Sequence, residues 1–271
     1  MVSIATIVCI AISLLVCLAL PVVLLLIFAG KHKKQGILSA WLLGAAGFFV
    51  TQILIRVPIL TALQTQSWFL DFADAHLFLY AFGLAFTAGL FELIGRFVVA
   101  KLLAKKDLNS RRSLAAGLGH GGIEAMIITG IAMVNNLAYI AMINAGTFEE
   151  VLSVAAGAGV DISQLELVKE QLLTYPSALF LMGGFERILA MIAHVAMSML
   201  VCYGVAHEKV LPCALVCLAI HTFIDLTAGL SLVLPQTLSY VVIYSILTAV
   251  AVASLWILRE LHRRWNKEET L

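Results

Sequence analysis

The chain has 271 residues, 62% of them hydrophobic and only 12% charged, with 17 basic and 16 acidic side chains. Soluble domains run at roughly 45–50% apolar and about 25% charged, so a soluble enzyme, a nucleic-acid-binding module and a disordered chain are all excluded. Apolar stretches above the ~18 residues needed to cross a hydrocarbon core recur along the sequence, which predicts an all-α, polytopic transmembrane helical bundle.

In chain order, the apolar runs predict seven spans at 3–29, 37–61, 76–100, 113–144, 176–206, 210–233 and 236–258. The first has no basic n-region and is about twice the usual length of a signal h-region, so it reads as a retained span rather than a cleavable signal. Lys31, Lys33 and Lys34 follow it. Lys101, Lys105, Lys106, Arg111 and Arg112 follow the third span, Lys209 lies between the fifth and sixth, and Arg259, Arg263, Arg264 and Lys267 form the tail. Thirteen of the seventeen basic residues thus fall on one side of a seven-span topology, and only Lys169 falls on the other. The positive-inside rule then puts the N-terminus outside and the C-terminus in the cytoplasm.

Two outer segments differ in character. Residues 62–75 set Asp71 and Asp74 beside Trp68 and Phe69, as in an interfacial loop with an aromatic anchor. Residues 146–175 carry Glu149, Glu150, Asp161, Glu166 and Glu170. Thr147 as N-cap, with Leu165, Val168 and Leu172 at helical spacing, predicts a short amphipathic helix or lid there. There is no internal repeat, low-complexity tract or long linker, so residues 1–271 are expected to form one integral membrane domain. Cys9, Cys17, Cys202, Cys213 and Cys217 all lie in apolar stretches without a CxxC pair, which argues against a disulfide framework or a thiolate zinc site.

A charge at the bilayer centre costs at least about 2.5–3.5 kcal/mol, so ionisable residues within the spans require a reason. Arg56, near the outer end of the second span, is best read as packing or snorkelling. The adjacent Glu186 and Arg187 read as a structural or gating ion pair. A more specific pattern is formed by Glu92 and Arg96, His120 and Glu124, and His221 and Asp225, each pair four residues apart, together with His194. A spacing of four places both members on one helix face. Counted from the cytoplasmic ends at 1.5 Å per residue, these groups share a layer roughly 10–20 Å deep. Spans three to six must then be mutual neighbours.

Histidine, glutamate and aspartate at one depth suit a divalent zinc site, with an acid left over as base. Without metal, the same groups would make an acid/base pair that activates water and stabilises an oxyanion. Either arrangement hydrolyses an amide or ester, whereas proton-coupled transport is the rival use of a His–acid chain. Ser198, four residues from His194, reads as bonding its own helix rather than as a nucleophile. Gly117, Gly119, Gly121 and Gly122 around His120, and Gly183 and Gly184 before Glu186, are small residues that let helices approach closely. Asn135 and Asn136 read as interhelical hydrogen-bonding groups.

The ordered set Glu-x-x-x-Arg, Gly-x-Gly-His-Gly-Gly-x-Glu, Glu-Arg-x(6)-His and His-x-x-x-Asp resembles the YhfC family of membrane peptidases, over residues 76 to 230. That family is itself similar to the group containing PrsW proteases and type II CAAX prenyl proteases. The resemblance implies an intramembrane peptidase with Glu92, Glu124, His194 and His221 as catalytic groups. His194, His221, Glu124 and Asp225 would hold Zn2+, Arg96 would keep Glu92 charged and oriented, and His120, Asp225, Glu186 and Arg187 would support the site. The wider group begins its first motif with two adjacent glutamates, whereas Phe91 stands at the first of those positions here. That departure raises Glu124 as the general base in place of Glu92, with His120 as an extra ligand. The implied setting is a bacterial plasma membrane, with a site open to the cytoplasmic leaflet. Its partners would be lipids and a membrane-embedded or membrane-proximal peptide or protein substrate, with no nucleic acid. A proton-coupled secondary transporter and a non-catalytic scaffold or immunity-type protein are the alternatives.

Overall fold

The structure is a computed structural model that describes residues 1–33, 35–158, 161–232 and 234–268. Its elements are α1 (Ile4–Lys31), α2 (Ile37–Leu63), α3 (Ser67–Ala75), α4 (Leu77–Ala104), α5 (Ser110–Ala145), α6 (Phe148–Gly157), α7 (Ser163–Thr174), α8 (Leu179–Ala206), α9 (Val210–Ala228) and α10 (Gln236–Glu268). A 3-10 turn, Gly229–Leu232, closes α9. Among the described residues there is no strand. Hydrocarbon offers no partner for backbone N–H and C=O groups, so a spanning segment must satisfy them within itself as a helix. Among the described residues seven helices, α1, α2, α4, α5, α8, α9 and α10, are long and apolar enough to cross a membrane. The protein is a multi-pass membrane protein, with spans where the apolar runs put them.

Three boundaries differ from the expectation. The segment 62–75 contains helix α3, whose Trp68 and Phe69 rings meet edge to face at 5.6 Å, with Tyr80 edge-on to Phe69 at 5.6 Å. The segment 146–175 makes two short helices, α6 and α7, rather than one. Thr147 does stand at the N-cap of α6, but its hydroxyl makes no capping bond there. Before α7, Asp161 accepts the backbone N–H of Ser163 at 2.9 Å, a bond that holds its carboxyl below the usual range. Finally, the basic tail is not separate from the last span. Glu260 bonds Arg263 at 2.8 Å and Arg264 at 2.7 Å, and these i,i+3 and i,i+4 pairs prolong α10 to Glu268.

The chain divides into two compact units. One comprises Met1–Val22 and Ala125–Ile188. Its core is Val2, Ile10, Ile140 and Leu172, and Ser13 ties α1 to α8 by donating to the carbonyl of Phe180 at 2.6 Å. Lys169 and Glu149 join α7 to α6 by an ion pair.

The other unit comprises Val23–Glu124 and Leu189–Leu271. Glycine governs its packing. A Cβ on Gly44 of α2 would lie 1.9 Å from the carbonyl oxygen of Ala116, and one on Gly119 of α5 would lie 1.9 Å from that of Trp41. Both are backbone atoms with no rotamer to yield, so only glycine permits α2 and α5 to touch main chain to main chain. On another side of α5, a Cβ on Gly117 would meet Cα of Val195 at 2.7 Å, and one on Gly121 would meet Cβ of His194 at 3.0 Å. The glycines around His120 therefore serve two faces at once, seating α5 between α2 and α8. Nearer the start of α5, Ser110 and His262 of α10 bond at 2.6 Å, and Trp265 is buried against Tyr203.

Among the described residues two spans depart from α geometry. Residues Phe49–Arg56 of α2 and Ala125–Gly130 of α5 are π-helical. Such segments collect at functional sites because the wider turn re-aims side chains. The first carries Gln52, and the second begins directly after Glu124.

Candidate active site

Four helices of the second unit deliver the ionisable residues to one place. The carboxylate of Glu92 (α4) is the hub. Its Oε2 accepts Arg96 Nη2 at 2.9 Å and His120 Nε2 (α5) at 2.9 Å. His221 Nδ1 (α9) lies 3.4 Å and His194 Nδ1 (α8) 3.6 Å from the same oxygen. Arg96 Nη2 also donates to His194 Nδ1 at 2.6 Å. From the far side of that ring, His194 Nε2 lies 2.7 Å from Glu124 Oε2, while His221 Nε2 lies 3.2 Å from Asp225 Oδ2. The rings of His120 and His194 stack at 5.4 Å, and His221 stands edge-on to His194 at 5.5 Å.

The helix surfaces bring this about for simple reasons. Gly89, one turn before Glu92, leaves room for α9: a Cβ there would be 3.3 Å from Cβ of His221. Gly95 does the same for α2, at 2.8 Å from the carbonyl of Gly47. The pairs at a spacing of four then stack along their helices, as anticipated, and spans three to six converge through them.

Burial divides the cluster. Glu92, Arg96, His120, His194 and His221 are buried, each no more than 5% exposed. Glu124 and Asp225 are the partly accessible members, with side chains 13% and 35% exposed. Counting Arg56, the site holds three carboxylates (Glu92, Glu124, Asp225) against two guanidinium groups (Arg56, Arg96). With neutral imidazoles it carries one net negative charge. In a low-dielectric setting such an excess favours either a protonated histidine or a bound cation.

Glu92, His120, Glu124 and His194 each offer a ligand atom, and those four atoms all lie within 4.8 Å of one another. Two imidazole nitrogens and two carboxylate oxygens form a donor set that suits a divalent metal. The residues present therefore fit such an ion. Against the set implied by resemblance, His194, His221, Glu124 and Asp225 with His120 as an extra ligand, this group shares Glu124, His194 and His120 and has Glu92 in place of His221 and Asp225.

Sequence reasoning missed one member. Gln52 of α2 is buried and donates from Nε2 to Glu92 Oε1 at 2.9 Å and to the Ala88 carbonyl at 3.1 Å. An isolated amide in the apolar run Phe-Phe-Val-Thr-Gln-Ile-Leu, four residues before Arg56, was the available signal. Arg56 is more than a snorkelling cation: it donates to the Leu84 carbonyl at 2.7 Å and reaches Gln52 Oε1 at 3.4 Å. Glu186 and Arg187 belong to the other unit, where they pair with each other.

A family model described as YhfC intramembrane metalloprotease matches residues 15–249. The chain belongs to the YhfC family. The YhfC match covers every residue of the cluster, from Gln52 to Asp225. A curated relative, an uncharacterized membrane protein YhfC of Bacillus subtilis (strain 168), is 33% identical over 210 residues, covering 77% of this chain and 79% of that protein. No solved structure matches the chain. The metalloprotease named for the YhfC family is in keeping with a buried Glu/His group able to hold a metal.

Proposed function

We propose that the protein is a zinc-dependent intramembrane peptidase whose active centre is the cluster around Glu92. One observation carries the reading: four ligand atoms, two from carboxylates and two from imidazoles, converge within 4.8 Å inside an apolar unit. Glu92, His120 and His194 would hold the metal, with Glu124 beside it as the base; the metal would supply Lewis acidity toward a peptide carbonyl and a water made nucleophilic near neutral pH.

The chain's own groups do the rest. Arg96 keeps Glu92 ionised by donating to Oε2 at 2.9 Å, so the hub carboxylate stays an acceptor for His120. Glu124, at the accessible edge and 2.7 Å from His194 Nε2, is placed to take a proton from water and return it to the leaving amine. His221 and Asp225, 3.2 Å apart, form a dyad beside Glu92; the aspartate orients the ring, whose Nδ1 edge faces the hub. The departure at Phe91 agrees with this division, in which one glutamate organises the site and another handles the proton.

The orientation we assign has the N-terminus outside and the C-terminus cytoplasmic, supported by the basic residues of four separate segments. A cytoplasmic-leaflet opening rests on that asymmetry alone. Within the cluster, partial exposure belongs to Glu124 and Asp225, each four residues further from the cytoplasmic end of its helix than His120 and His221. We therefore assign substrate entry to the Glu124–Asp225 side, at mid-membrane.

Hydrolysis of an apolar peptide library by purified protein in detergent, with and without chelator, tests the function. Glu124→Gln and His194→Ala are expected to lower the rate by about 10²–10⁴-fold. Wild-type rates in both variants would sink the assignment.

A further inference from the structure

We propose that Gln52 is a positioning residue for Glu92, which it holds in the one rotation that turns Oε2 toward the three histidines. The inference rests on the peptidase reading and deepens it, naming a residue of that site on a helix outside the four motifs.

The carboxylate of Glu92 has two oxygens with separate duties. Oε2 faces Arg96, His120, His194 and His221. Oε1 accepts the amide of Gln52 at 2.9 Å. A carboxylate held only on Oε2 is free to rotate about its terminal torsion, which is broad. A donor fixed on Oε1 removes that freedom. Gln52 is itself fixed: its second amide hydrogen goes to the Ala88 carbonyl at 3.1 Å, one turn before Glu92 on the same helix. With the NH2 group facing two acceptors, the amide oxygen must face the other way, where Arg56 Nη1 stands at 3.4 Å. Arg56 in turn is anchored by the Leu84 carbonyl at 2.7 Å.

A chain of hydrogen bonds thus runs from Arg56 through Gln52 to the accepting carboxylate of Glu92, each link forcing the orientation of the next. Its start lies in the π-helical segment Phe49–Arg56, which supplies both side chains. Partners of this kind that fix a ligand's rotation are worth as much as ligands themselves; losing one costs about 10–100-fold in metal affinity or activity.

Gln52→Leu keeps the size of the side chain and removes the donors. Thr51→Val is the control, because Thr51 is buried on the same π segment but bonds only the Gly47 carbonyl, at 2.8 Å. Zinc affinity is read by competition with a chromogenic chelator, and kcat and KM are read on the same preparations. Gln52→Leu is expected to weaken zinc binding and to lower kcat, each by about 10–100-fold, with KM within about twofold of wild type. Thr51→Val is expected to leave all three unchanged. Wild-type affinity and kcat in Gln52→Leu would overturn the proposal, and so would an equal loss in Thr51→Val, which would mark a general packing effect. A wild-type protein that neither binds zinc nor cleaves peptide would defeat the peptidase reading, and this proposal with it, before either variant is measured.

Discussion

Arg96 Nη2 lies 2.6 Å from Nδ1 of His194, and a guanidinium can only donate. Nδ1 is therefore the acceptor, and the proton of the neutral ring sits on Nε2, facing Glu124 at 2.7 Å. Two N–H donors cannot face each other at such a distance, so a metal taken at Nε2 would move the ring proton to Nδ1 and turn Arg96 aside. ¹⁵N spectra of histidine-labelled protein should show His194 changing tautomer when zinc is added. Unchanged His194 nitrogens at saturating zinc would remove His194 from the ligand set.

The two glutamates should fail differently. Glu92→Gln leaves the buried guanidinium of Arg96 without a counter-charge, at an expected cost of about 3–5 kcal/mol. Glu124→Gln, at the accessible edge, should destabilise less while lowering the rate of hydrolysis by about 10²–10⁴-fold. Thermal melts beside activity assays check this. Equal destabilisation without a specific loss of turnover would favour a scaffold that keeps the cluster only for packing.

Glycine at position 119 should be irreplaceable. Gly119→Ala drives a methyl against the Trp41 carbonyl and should destabilise by at least about 1–3 kcal/mol, displacing the adjacent His120. Gly83→Ala, whose new methyl would meet nothing within 4 Å, should be neutral or slightly stabilising. If both variants melt at the wild-type temperature, the close contact of α2 with α5 is not as described.

Removal of metal should silence the protein without unfolding it. The donor groups already satisfy one another, through Glu92 with Arg96 and His120 and through His194 with Arg96. Chelated protein should therefore keep its helical circular dichroism and regain activity on addition of zinc, unlike a small zinc domain that folds only around its ion. Loss of helicity on chelation would contradict this.

Sidedness has its own test. After replacement of the five native cysteines, Lys105→Cys should react with an impermeant maleimide only from the cytoplasmic side, and Glu149→Cys only from outside. The reverse pattern would invert the topology.

Much of this arrangement is legible in the sequence because membrane helices are nearly one-dimensional objects. Length and apolarity set the seven spans, and a spacing of four set the faces on which Glu92 and Arg96, or His221 and Asp225, act together. What could not be read depends on rotation between helices. Glu92 as the hub, rather than one acid among three, follows from Gly89 and Gly95 admitting α9 and α2 on two sides of α4. Gln52 was hidden for a related reason: a π-helical turn shifts which residues share a face, and hydrophobic spacing carries no mark of it. The helix at 67–75 escaped because short amphipathic segments and loops differ little in composition, and for the same reason the helix expected within 146–175 was not resolved into two.

The π segment of α2 has one more consequence. A π turn accommodates a residue that an α-helix would have no place for. Substitution cannot undo that surplus, but deletion can. Removing a single residue after Gln52, within Ile53–Ile55, would restore regular winding and shorten the spacing of Gln52 and Arg56 from four residues to three. The bond from Arg56 to Gln52 would have to be remade at that new spacing, although every other side chain of the cluster would be intact. Length is thus a heritable variable of this site alongside residue identity. Relatives with one residue fewer in this span would have to orient the hub carboxylate by another route.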